Sequence, residues 1–77
     1  MKIDKKSEEI LEDGSDELII QTNYQDLQFI GYILESFGGC CNYTTIDKDE
    51  MFLKIVIPKD FKYDVKNILN FLKDFEQ

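Results

Sequence analysis

The run Met51-Phe52-Leu53-Lys54-Ile55-Val56-Ile57, closed by Pro58, constrains what this chain can fold into more than any other stretch. Read with the period of two of a strand, Met51, Leu53, Ile55 and Ile57 share one wholly apolar face, and Phe52, Lys54 and Val56 share the other. Such a strand needs complete cover on one side and only partial cover on the other. Pro58 lacks the N–H that a ladder requires and ends it. Two stretches carry the matching cover. Residues 24–37 place Leu27, Ile30, Leu34 and Phe37 at helical spacing, with Ile33 widening the stripe. After Asp60, a second helix to about residue 75 places Phe61, Val65, Ile68, Leu69, Leu72 and Phe75 in the clearest amphipathic stripe of the chain.

Caps and turn formers supply the rest. Residues 17–22 read as a strand, because Leu18, Ile19 and Ile20 are contiguous and Thr22 suits a pleated surface. Asn23, with Asp26 three residues on, caps the first helix. Gly38 and Gly39 stop it, and Gly31 beside its stripe permits close approach to the sheet. Residues 40–46 read as another strand, and Asp47-Lys48-Asp49-Glu50 as a polar connection of hairpin length. The predicted fold is α+β in the order β-α-β-β-α. Both helices pack on one face of a three-stranded antiparallel sheet of order 1-3-2, a truncated ferredoxin-like arrangement that lacks its last strand. The first strand is then an open edge, which natural proteins seldom leave unmanaged. Residues 16–77 form a single α+β domain in this reading. Residues 1–15 form an acidic leader, flexible or lightly docked through Ile3, Ile10 and Leu11.

Charge excludes several functions. The formal net charge is −7, of which −4 lies on residues 1–17 and −3 on residues 18–57, while residues 58–77 balance. No basic field exists to attract phosphates, so no nucleic-acid partner is expected. The chain has no His, no Arg and no Trp, hence neither the usual near-neutral proton carrier nor a bidentate fork. No apolar run approaches the roughly 20 residues of a membrane span, and residues 1–13 lack the long apolar stretch of a secretory signal, so none is expected. Two cysteines are too few for a disulfide framework, which points to a reducing cytoplasm. A chain of 77 residues has room for one core and buries only about 60% of its unfolded surface, so oligomerisation is a natural remedy.

Three segments carry a resemblance: the helix end Ile33-Leu34-Glu35-Ser36-Phe37-Gly38-Gly39, the strand Tyr43-Thr44-Thr45-Ile46-Asp47, and Leu53-Lys54-Ile55-Val56-Ile57-Pro58. In this order and spacing they resemble the small bacterial proteins grouped as domain of unknown function 4911. The resemblance covers most of residues 17–75 and omits the leader. It implies no activity and no functional residue, and Cys40-Cys41 is not part of its pattern.

Candidate sites are few. Cys40 and Cys41 suggest a redox or metal site, but strand alternation points adjacent residues to opposite faces, and one chain offers no further Cys or His to complete a zinc site. Two reduced thiols, one in the core, are the plainer account. Asp47, Asp49 and Glu50 at the hairpin tip, and Asp13, Asp16 and Glu17 around Gly14, are rich in oxygen ligands yet lack the pattern of a calcium loop. Solvated charged turns explain both. Ile19, Tyr43, Phe52 and Val56 populate the sheet face away from the helices, where a partner would cover them. Phe29 and Tyr32 lie off the main stripe of the first helix, and Tyr63 and Phe71 sit at the margins of the stripe on the last helix. Ser7, Ser15 and Ser36 have no His to activate them, so the composition argues against an enzyme. No catalytic, cofactor-binding or metal residue is named, and no cofactor is expected.

The sequence therefore points to a non-enzymatic binding or assembly module that forms a homodimer or takes an unidentified protein partner. Its interface is either the strand edge at Leu18, Ile19 and Ile20 or the sheet face at Ile19, Phe52 and Val56. Two alternatives stand beside it. One is a small-molecule sensor resembling ACT-type regulatory domains, an analogy of fold alone. The other is a thiol-dependent redox or metal protein using Cys40 and Cys41.

Overall fold

A computed structural model of the chain describes residues 1–36 and 41–75. Strand β1 (Asp4–Ile10) is followed by β2 (Asp16–Gln21), helix α1 (Tyr24–Glu35), β3 (Asn42–Asp47), β4 (Phe52–Ile57), a 3-10 turn (Lys59–Phe61) and helix α2 (Lys62–Lys73). The strands form one antiparallel sheet in the order β1-β2-β4-β3. The fold is α+β, with an antiparallel sheet and two helices, and the predicted 1-3-2 order survives inside it as β2-β4-β3. The strand count differs: among the described residues the sheet has four strands and not three.

The added strand is β1, drawn from the acidic leader. Every residue of β1 is exposed, so no apolar alternation marks it in the sequence. Backbone pairing with β2 makes it a strand. The β1–β2 turn is closed by the Leu11 amide donating to the Ser15 carbonyl at 2.8 Å and the Gly14 amide to the Leu11 carbonyl at 3.0 Å. Gly14 takes a φ of 88°, a conformation glycine adopts without penalty. The Asp13 carboxylate accepts the Ser15 amide at 2.9 Å. The open edge expected beside residues 18–22 is thus absent. β2 pairs with β1 on one side and β4 on the other, so Leu18, Ile19 and Ile20 have no edge to offer a second copy.

Alternation sets the layers. In β2, Asp16, Leu18 and Ile20 are buried and stand opposite Ile57, Ile55 and Leu53 of β4. Ile30 and Leu34 of α1 and Val65, Leu69 and Leu72 of α2 join these aliphatic side chains in one core. Both helices therefore cover the same sheet face. Asn23 caps α1, its side-chain oxygen accepting the Asp26 amide at 2.7 Å. Tyr43 stands opposite Ile55 and so lies on the helix face, one residue of register from the face expected for it. Its hydroxyl donates to Glu35 at 2.7 Å, and that hydrogen bond, with burial second, raises the pKa of the phenol. A Cβ on Gly31 would meet the same hydroxyl at 2.9 Å, which explains a glycine inside the helix.

Expected element starts move, and one expected burial changes. Met51 belongs to the β3–β4 turn with a φ of 59°, and β4 begins at Phe52. The Asp47 carboxylate shapes that turn by accepting the amides of Asp49 and Glu50, both at 3.0 Å. Asp60 sits within the 3-10 turn, and α2 starts at Lys62 with no side-chain cap. Phe75, expected in the buried stripe, is exposed. The expected helix stop at Gly38 and Gly39, with Phe37 before it, lies outside the described residues.

Candidate functional site

Two surfaces of the described residues bear on function. One is the sheet face opposite the helices. The other is a cleft of about 350 Å³ on the helix side, between β1, β2 and α2.

A bulge builds the cleft. The β1–β2 register shifts between Lys5 and Ser7, so Lys5 stands opposite Ile20 and Glu8 opposite Leu18. Residues five and eight would point to opposite faces of a regular strand. The extra residue turns both toward α2. On α2, Lys66, Leu69, Asn70 and Lys73 recur at helical spacing and line the opposite wall. Ile3, Leu18, Ile20 and Leu69 form an apolar floor continuous with the core.

A charge network holds one end. Asp16 is only 1% exposed, yet it carries a carboxylate. The Lys66 ammonium lies 2.7 Å from its Oδ2, and the Lys62 ammonium 3.4 Å from its Oδ1. These are ion-pair contacts; neither oxygen accepts a well-directed hydrogen bond. Lys66 also pairs with Glu8, and Lys5 reaches Glu8 at 3.0 Å. Close contact with Lys66 lowers the pKa of Asp16 against the opposing effect of burial. Lys66, then Lys5, lower that of Glu8. Asp16, then Glu8, raise that of Lys66. All three groups are therefore held in their charged forms, and the network ties β1 to α2.

The residues singled out from sequence divide between the surfaces. Leu18 and Ile20 are core residues beneath the cleft. Ile19, Phe52 and Val56 project from the opposite face, each half-buried. Cys41 is 5% exposed within the core, a place that shields a thiol from solvent, and Cys40 lies outside the described residues. Asp16, weighed as part of an acidic turn, is an ion-pair centre. Among the described residues no cluster of His, Cys, Asp and Glu could hold a metal ion. Tyr32, Tyr63, Phe71 and, less so, Phe29 are exposed. Sequence reasoning missed Lys5, Glu8, Lys66 and Lys73. The helical spacing of Lys62, Lys66 and Lys73 along one margin of α2 was a readable signal; the bulge that turns Lys5 and Glu8 inward was not.

Residues 20–75 match the family described as "Domain of unknown function (DUF4911)", and the chain belongs to that family. The match begins within β2, so β1 and its turn precede it. No curated protein and no solved structure matches the chain. Among the described residues no helix is long and apolar enough to cross a membrane.

Proposed function

We propose that this member of a family of unknown function is a non-enzymatic assembly module that forms a homodimer through the sheet face opposite its helices. The observation that carries this reading is the placement of Ile19, Phe52 and Val56. Ile19 stands opposite Lys54, so its diagonal neighbours on β4 are Phe52 and Val56. The three make one apolar patch, half-buried in the single chain, on the face away from both helices. Patches of this kind in a small domain mark contact surfaces. Glu17 and Lys54 share the face, and a twofold axis can bring their opposite charges together across the interface. Two sheets packed this way would add a second apolar layer to a thin core.

The topology supports a finer reading of the fold. β2-α1-β3-β4-α2 with strand order β2-β4-β3 is the ferredoxin-like arrangement short of its last strand. β1 pairs with β2 where that strand would add, so we read the fold as ferredoxin-like, with the closing strand supplied from the N-terminal side. We place the module in the cytoplasm, on the composition alone.

Size-exclusion chromatography with light scattering across a dilution series tests the dimer. The wild type should show a dimer mass that falls towards the monomer on dilution. Phe52→Lys should remain monomeric throughout with an unchanged circular dichroism spectrum. A wild type that stays monomeric at the highest attainable concentration overturns the proposal.

A further inference from the structure

We propose that the cleft between β1, β2 and α2 binds a small amphipathic anion, a molecule with one carboxylate head and a short apolar tail. It lies on the opposite side of the sheet from the dimer face, so the two proposals stand or fall separately.

Charge favours an anion. The chain carries −7, yet the residues lining this cleft include three of its nine lysines and only one acid, Glu8. With the buried Asp16 that pairs with Lys66 counted beside Glu8, the three lysines still leave one net positive charge at the cleft, on a chain that is otherwise negative. Clefts of one sign with low-dielectric walls concentrate ligands of the other. The lysines have distinct roles. Lys66 is committed to Asp16 and Glu8 and fixes the wall. Lys5 shares Glu8 and keeps a side chain 59% exposed, free to take a second acceptor. Lys73 makes no ion pair among the described residues, and Asn70 lies one turn before it with an amide donor. Lys5 and Lys73 are therefore positioned to receive one incoming anion.

The floor favours an apolar tail. Ile3, Leu18, Ile20 and Leu69 are aliphatic, so a ligand polar all round would lose water there without recovering hydrogen bonds. A hydrocarbon tail gains by the same contact. Size favours a short tail. A volume of about 350 Å³ is at the small end of ligand sites, which suits a medium-chain carboxylate.

Octanoate is the probe. Titration of the full chain, followed by two-dimensional amide NMR, should give saturable shifts around Ile3, Leu18, Ile20 and Leu69 at millimolar concentrations. Lys73→Gln and Lys5→Gln replace solvent-facing ammonium groups and should keep the fold. Each should weaken octanoate binding by about tenfold, the loss expected for one charge-assisted contact. Octan-1-ol should bind more weakly than octanoate, and octylammonium should not bind. The proposal is overturned by absent or unsaturable shifts, by equal binding of octan-1-ol, by unchanged affinity in both variants, or by shifts centred on Ile19, Phe52 and Val56.

Discussion

β4 and β1 belong to one sheet but are held in it by different forces. β4 is central, paired on both sides, and its Leu53, Ile55 and Ile57 are fully buried beneath the helices. β1 is an edge strand without one buried residue. Its hold comes from the ladder to β2, from the Glu8–Lys66 contact and from the segment just before it. There Ile3 enters the core, the Lys2 amide donates to the Asp26 carboxylate at 3.0 Å, and the Met1 nitrogen donates to the Phe75 carbonyl. The contrast shows that one sheet can be secured by burial at its centre and by charge and backbone at its edge. The two attachments respond to different perturbations, because hydrophobic burial ignores pH and ion pairs do not.

Three experiments test whether the two attachments are distinct. The largest effect should come from Ile55→Ala, which empties the centre of the core and should destabilise the whole fold by about 2–5 kcal/mol in urea denaturation. A loss below about 1 kcal/mol would mean that β4 does not anchor the core as described. Asp16→Asn should act more locally. It removes the charge that holds Lys66 and Lys62 and should reduce stability by about 1–2 kcal/mol, at the low end for a charged contact because Lys66 can turn to water. Hydrogen exchange should show β1 amides losing more protection than β4 amides. Equal losses would deny β1 its separate attachment.

The smallest and most selective effect should be that of pH. The folded pKa values of Glu8 and Asp16 are lowered, so their contribution is complete above the ordinary carboxylate value of about 4 and is lost as pH falls through the folded values. That of Lys66 is raised, so its contribution is complete below its ordinary value of about 10.4 and is lost as pH rises through the folded value. Across the neutral range β1 should therefore be held evenly. On acidification, protection of β1, corrected for intrinsic exchange, should fall before that of β4, and Asp16→Asn should flatten this dependence. Simultaneous loss in both strands would break the comparison.

What was legible in the sequence follows the same division. Elements secured by burial announce themselves through periodicity. The apolar face of β4, the stripes of α1 and α2 and the Asn23 cap could all be read because apolar spacing and short-range capping are local properties. β1 could not be read, since its residues show no buried face and its pairing is decided by a partner strand. Tyr43 was misplaced by one residue because propensity locates a strand without setting its register. The cleft was least legible. Its apolar floor is ordinary core sequence, and its rim depends on a bulge in β1 and on helix spacing meeting across the chain.

Composition and neighbour spacing are enough to dictate the α+β class, the inner face of β4, the two helices and the negative charge. Only the tertiary structure decided that the acidic leader completes the sheet, that β2 is a central strand, and that Lys5, Lys66 and Lys73 meet over an aliphatic floor. Backbone hydrogen bonds and ion pairs between distant residues leave no periodic trace in a chain. They take effect only when the fold has brought their partners together.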